Sequence, residues 1–408
     1  MSEKAPIFTS IGAFGGNAMY IAPTELSNGL KYHGYKVATK DDYIYCALTV
    51  RSGSLCDIVQ GTAHFLEHIL LTFVKMYGYN RSKELPITGK TSFDRTCFYF
   101  GCNAESFEKA INLIKTIIFG EYLQKKYFEP VRRDILAEYS HCSRSVKREY
   151  AFLSKVSKDL SSFIPIGTKG SIESLNFDNI MDFYVKEYSM NNMLLSILGD
   201  VDTERIDELV NTPGCCFIER LNKIQNKVTE FDGEKESEHT EIFIPISYTP
   251  FVHCNELYDN ISLSLITYIL RAFPSNGTIC VGIKEYSKHN RFINIRINSG
   301  ESADEILLFI KRGLIRSIKN GIGIQFVRNE VENKLLSQVS ESGLLRRIED
   351  FFVYNTKYHH ISEVINQIPF INFKSIRDVV NNLFKVSPIL VENKISVIVR
   401  EIVDWSIA

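Results

Sequence analysis

The sequence predicts an α+β protein made of two homologous domains, each a sandwich of helices packed on a largely antiparallel sheet. Three observations lead there. First, a chain of 408 residues is too long for one ordinary core and suits two domains of about 200 residues. Second, each half reads as strands, a helix, a strand, long helices and a closing strand, an order that makes helix-on-sheet layers. Third, the chain repeats itself once. CFYFGCNAESFEKAINLIK (Cys97–Lys115) and INIRINSGESADEILLFIK (Ile293–Lys311) both read as a short strand, a polar turn and an amphipathic helix. Glu105-Ser106 answers Glu301-Ser302, and Lys115 answers Lys311. The apolar segments MLLSILGDVD (Met193–Asp202) and ISVIVREIVD (Ile395–Asp404) close the two halves alike. A repeat of this length is a duplicated domain, not a solenoid unit.

In order along the first half, Lys31–Ala38 and Tyr43–Val50 read as strands. A helix apolar nearly all round follows over Asp57–Val74, which marks it as buried. Asp94–Phe100 is the next strand. Helices are expected over Ala104–Phe119, Gln124–Lys158 and Asn176–Tyr188. The polar, charged run NKIQNKVTEFDGEKESEH is an exposed connection. The expected organisation is therefore a first domain over 1–221, a linker over 222–239 and a second domain over 240–408.

The apolar fraction of 45%, the charged fraction of 23% and the net charge of -1 are globular, soluble values. They lack the basic balance of a nucleic-acid binder or a membrane-surface module. No apolar run approaches the roughly 18 residues of a spanning helix. The start of the chain lacks the charged-then-apolar pattern of a signal peptide, so a cytoplasmic location is expected. The nine cysteines are odd in number and form no C-x-x-C pair, which points to reduced thiols. Adjacent Cys215 and Cys216 are read as small hydrophobes.

The chemistry is concentrated in GTAHFLEHILL. His64 and His68 are one helical turn apart on one face, within reach of a single zinc ion, with Glu67 between them. This H-x-x-E-H order is the inverse of the H-E-x-x-H metalloprotease helix. Buried, these three side chains need partners, and a metal supplies them. A catalytic zinc takes three protein ligands and keeps a fourth position open. Spacing alone leaves Glu138, His141 and Glu149 as candidates for the third. The matching region of the second half, Glu256–Leu270, has no histidine, cysteine or paired carboxylates, so one zinc per chain is expected.

GTAHFLEHILL, followed about 70 residues later by RRDILAEY, resembles the pitrilysin and mitochondrial-processing-peptidase superfamily of inverted zinc peptidases. LTVRSGSLCDIVQGTAHFLEH is similar to that family's strand, Gly-Ser turn and metal helix. The run PIGTKGSIESLNFDNIMDFYVKEYSMNNMLLSILGDVD is similar to its downstream segment, with Gly170, Tyr188, Asn192 and Gly199-Asp200 at family positions. The resemblance implies that His64, His68 and Glu138 are metal ligands and that Glu67 is the general base. It also implies a substrate strand at Thr88, Gly89, Lys90 and Thr91, where the family has Asn-Ala-x-Thr. Val131 stands where the family often has a further glutamate. The family's substrate-gripping arginine and tyrosine have Arg271 and Tyr286 as their nearest, weakly matching counterparts. The function implied is zinc-dependent hydrolysis of short or unfolded peptides inside a two-subunit chamber, such as removal of a leader from a precursor. The missing arginine–tyrosine run favours a heterodimer with a related subunit over a homodimer. The alternative is a non-catalytic peptide-binding or structural subunit.

Overall fold

The computed structural model of the chain describes residues 8–11, 16–37, 39, 42–77, 85–156, 158–211, 239–246, 255–275, 278–287, 290–297, 302–320, 323–337, 340–354, 359–393, 397–401 and 405. The expected linker lies outside these residues apart from His239, as do Cys215, Cys216, Cys254 and Glu301.

The strands are β1 (Phe8–Ile11), β2 (Gly16–Glu25), β3 (Lys31–Lys36), β4 (Tyr43–Val50), β5 (Ile87–Thr91), β6 (Thr96–Asn103), β7 (Met193–Gly199), β8 (His239–Pro245), β9 (Ile279–Ser287), β10 (Asn290–Ile297), β11 (Ile389–Asn393) and β12 (Val397–Glu401). The helices α1 (Thr62–Leu70), α2 (Thr72–Tyr77), α3 (Phe107–Ile118), α4 (Phe128–Val156), α5 (Lys158–Ser161), α6 (Lys169–Ser174), α7 (Phe177–Glu187) and α8 (Thr203–Asn211) belong to the first half of the sequence. The second half supplies α9 (Asn255–Leu270), α10 (Ala303–Asn320), α11 (Ile324–Ser337), α12 (Glu341–Tyr354), α13 (Ile361–Ile365) and α14 (Phe373–Leu383). This is the α+β architecture expected. The repeated segments both fold as strand then helix, β6 into α3 and β10 into α10.

These elements form two compact units. One is drawn from Met1–Ser143, Ser162–Asp232 and Val339–Tyr358; the other from Arg144–Ser161, Gly233–Gln338 and His359–Ala408. Two segments thus depart from chain order, and their side chains show why. In the first unit, Asp350 of α12 pairs with Arg95 at 2.6 Å, and Glu349 accepts a hydrogen bond from Tyr99 of β6 at 3.2 Å. In the second, Phe152 of α4 stacks on Phe243 of β8 with ring centroids 4.1 Å apart.

The first unit holds a seven-stranded sheet in the order β1-β2-β3-β7-β4-β6-β5, with β5 at one edge. Among the described residues of this sheet only β3 and β7 pair in parallel. All seven residues of β7 are buried, as an apolar run in the middle of a sheet covered on both faces demands. Ile44, Cys46, Leu48 and Val50 of β4 alternate into the main core with Phe98, Phe100 and Cys102 of β6. Helices α1, α3, α7 and α8 close that core; from α3 come Ala110, Ile111, Ile114 and Ile117, spaced as one helical face. The opposite face carries buried Thr49, Cys97 and Ser196 under α12.

The second unit has an antiparallel sheet in the order β12-β11-β8-β10-β9. Helix α9 is its central helix and packs against α10, α11 and α14. Trp405 is buried with its ring beside Phe384, and its Nε1 donates to Leu383 O at the end of α14 (2.7 Å).

Candidate metal centre

The expected helix over 57–74 is broken in the structure. Ser54–Cys56 is a 3₁₀ turn, α1 begins only at Thr62, and Leu71 separates α1 from α2. The cause is Gly61, whose φ of 93° is the left-handed conformation that glycine adopts without steric cost. Asp57 caps the new start. Its carboxylate accepts from the backbone N–H of Gly61 and of Ala63, both at 2.8 Å, which satisfies donors that have no partner within the helix. Ile58 is therefore almost fully exposed (86%), not part of the buried helix face.

Within α1 the two histidines keep the one-turn spacing, their ring centroids 4.6 Å apart. Their partner comes from α4. Val131 and Ile135 of that helix are buried in the core, and Glu138 lies on the same face, one turn beyond Ile135 and half exposed. The helix is anchored at its start. Phe128 stacks on Phe65 of α1 (4.7 Å), and Arg132 donates to Leu175 O at 2.8 Å. So the apolar residue at 131 joins the packing between helices in place of an acid.

His64 Nε2 lies 3.7 Å from Glu138 Oε1, and His68 Nε2 lies 3.4 Å from Glu138 Oε2. The three donor atoms fall within 4.8 Å of one another, the one such cluster of metal-binding side chains among the described residues. Burial, with His68 adding to it, pushes the His64 imidazole down to about 4, so the ring is neutral at neutral pH. A neutral ring facing a carboxylate at 3.7 Å is neither an ion pair nor a hydrogen bond. Such a ring has a lone pair that it could offer to a metal ion. Donor atoms at tetrahedral angles on bonds of about 2.0–2.2 Å stand roughly 3.4 Å apart, so the donor set fits zinc.

Glu67 is buried and reaches β5, where Thr91 Oγ1 donates to its Oε2 at 2.7 Å. Burial holds its carboxyl above the usual carboxylate range, against the pull of His68 and of the Thr91 hydrogen bond.

The remaining sequence-predicted residues sit as follows. His141 is exposed on α4 with its Nδ1 at Ala137 O (2.6 Å), and Glu149 pairs with Lys284 at 3.2 Å in the second unit. Neither joins the cluster. Thr88, Gly89, Lys90 and Thr91 make up most of edge strand β5. Arg271 pairs with Glu330 (3.2 Å) and lies over Phe326, while Tyr286 is buried beside Phe152. Both belong to the second unit. Sequence reasoning missed the Asp57 cap and the Arg132 anchor. The Asp-to-Gly spacing before the helix was a usable signal for the first; nothing local signals the second.

Residues 36–160 match the family described as insulinase (peptidase family M16). Over 204 residues the chain is 27% identical to an insulin-degrading enzyme homolog of Dictyostelium discoideum, covering 46% of this chain and 21% of that protein. Over 223 residues it is 26% identical to an uncharacterized zinc protease of Rickettsia bellii, covering 51% of this chain and 53% of that protein. The chain thus spans only a fifth to about half of these relatives' length. Among solved structures, a protease from Helicobacter pylori superposes with a TM-score of 0.65 at 16% identity, over 88% of this chain and 95% of that one. A peptidase M16 inactive domain from Pseudomonas fluorescens gives 0.68 at 12% identity, over 90% and 96%. The fold is that of M16 peptidases, carrying an inverted H-x-x-E-H helix. Together the matched segment, the relatives and the fold support the pitrilysin and mitochondrial-processing-peptidase superfamily for this chain.

Proposed function

We propose that the chain is a zinc-dependent endopeptidase in which His64, His68 and Glu138 hold one metal ion and Glu67 is the general base. The convergence of the two Nε2 atoms and the Glu138 carboxylate carries this reading. A zinc ion held there supplies Lewis acidity, polarising a carbonyl and lowering the pKa of water. Glu67 takes a proton from the attacking water and returns it to the leaving amine. A base raised by burial is better matched to that task near neutral pH. The peptide lies extended along the free edge of β5, adding a strand to the sheet. Short or unfolded peptides, such as the leader of a precursor, suit such docking.

The chain works as half of a two-subunit chamber. Arg271 is engaged by Glu330 and Tyr286 is buried, so a related partner subunit brings the substrate-gripping arginine and tyrosine. The competing reading is a non-catalytic peptide-binding subunit, since the same fold occurs in a domain described as inactive. The intact His64–Glu67–His68 set weighs against it, because a scaffold has no use for those residues.

Metal analysis of the purified chain, with a quenched-fluorescence peptide assay alone and with co-expressed related subunits, tests the proposal. One zinc per chain and chelator-sensitive cleavage are expected. Zinc-loaded chain that cleaves nothing in any combination leaves the peptide-binding reading.

A further inference from the structure

Edge strand β5 does more than offer a border for a peptide. Its side chains alternate, and Gly89 and Thr91 face one way while Thr88 and Lys90 are exposed on the other. Toward α1, the face of Gly89 and Thr91 meets Glu67, with Leu71 beside it. Thr91 Oγ1 donates to Oε2 at 2.7 Å. At position 89 the fit is so close that a β-carbon would overlap Glu67 Oε1 and come within 2.8 Å of its Cδ and 2.6 Å of Leu71 Cδ1. The backbone at Gly89 is held by the ladder to Phe98, so the carboxylate would be the group to move. A glutamate side chain, with three torsions, has several rotamers. Here one oxygen is tied and the other has a space that only glycine leaves open.

We propose that Thr91 and Gly89 are positioning residues for the general base: the Thr91 hydroxyl fixes one oxygen of Glu67, and the absent side chain at Gly89 leaves room for the other. This rests on the reading of Glu67 as the base. It predicts a loss in the rate of the chemical step without loss of metal, because neither residue belongs to the cluster of His64, His68 and Glu138.

The test is steady-state kinetics of the zinc-loaded chain, in whatever subunit combination cleaves a quenched-fluorescence peptide, with zinc content measured in parallel. Thr91→Val keeps the shape and removes the hydroxyl; it should lower kcat about tenfold, the worth of one hydrogen bond to a charged group, with zinc content unchanged. Thr91→Ser should restore most of the rate. Gly89→Ala should lower kcat similarly. A Thr91→Val kcat within twofold of the parent, or Thr91→Ser no better than Thr91→Val, overturns the role of Thr91. An unaffected Gly89→Ala overturns that of Gly89. A second readout needs no activity. Thr91→Val should lower the Tm of the parent chain more than that of a Glu67→Leu chain; equal shifts in both backgrounds overturn the contact. If no combination cleaves peptide, the reading of Glu67 as a base fails, and the Tm comparison alone decides the contact.

Discussion

His68 and Glu138 come from different helices, yet His68 Nε2 and Glu138 Oε2 stand 3.4 Å apart. Helix α4 is held to α1 by apolar packing and to the end of α6 by Arg132, so the carboxylate is presented rather than recruited. Replacing Glu138 by Ala should leave the fold intact, since the residue is half exposed, and weaken zinc binding by at least tenfold. Zinc content and competition with a chromogenic chelator measure this. His141 does not compensate, because its Nδ1 is already directed at Ala137 O.

Glu67→Gln separates binding from chemistry. The amide keeps the size of the side chain and can still accept from Thr91, but it cannot take up a proton. Zinc content should be unchanged and cleavage should fall by about 10² to 10⁴. Turnover at the parent rate would assign the base elsewhere.

The Asp57 cap should be worth about 1–2 kcal/mol. Asp57→Ala leaves the N–H groups of Gly61 and Ala63 unpaired at the start of the metal helix. Denaturant unfolding of the variant should show a lower midpoint at an unchanged slope. Gly61→Ala should also destabilise, because its φ of 93° is strained for any residue with a β-carbon.

A pH dependence is built into the face of the first sheet covered by α12. Burial raises Glu349 from 4.5 to about 7, against the opposing pull of Arg95. The folded state therefore binds a proton that the unfolded state releases near 4.5. Its contribution to stability is fullest below that pH, declines as pH rises toward 7 and levels off above. Glu349→Gln abolishes the titration while preserving an acceptor for Tyr99. Relative to the parent, the variant should gain stability between pH 4.5 and 7, by about 3 kcal/mol at most. A flat difference between the two unfolding curves over that range would contradict this.

Much of this arrangement is legible in the sequence, and the rest is hidden for identifiable reasons. β4 falls where its apolar alternation places it, and β7 where its apolar run does, because both lie inside the sheet with neighbours on each side. The outer strands escape. β2 contains Gly16 and Pro23, which weaken its strand pattern; its pairing with β3 shifts register between Ile21 and Thr24, where a proline does least harm. β5 is short and polar and emerges from the family resemblance alone. In the site, His64, Glu67 and His68 follow from helical spacing, which is local. Glu138 is a meeting of two helices, and one-dimensional spacing left three candidates. The tie between Thr91 and Glu67 and the packing of α12 on the first sheet depend on the finished fold, so no periodicity announces them.

The thiols bear on how the metal reaches its place. Cys46 and Cys97 are buried, and their acidity is suppressed, Cys46 by its hydrogen bond to Cys102 and by burial, Cys97 by burial. Sulfur captures zinc as thiolate, so in the native chain these atoms are closed to it. In a denatured chain the same cysteines are open, ordinary ligands. Refolding in a zinc-containing buffer therefore invites mis-metallated, trapped species at these two cysteines, a route that supplying the ion after the chain has folded closes.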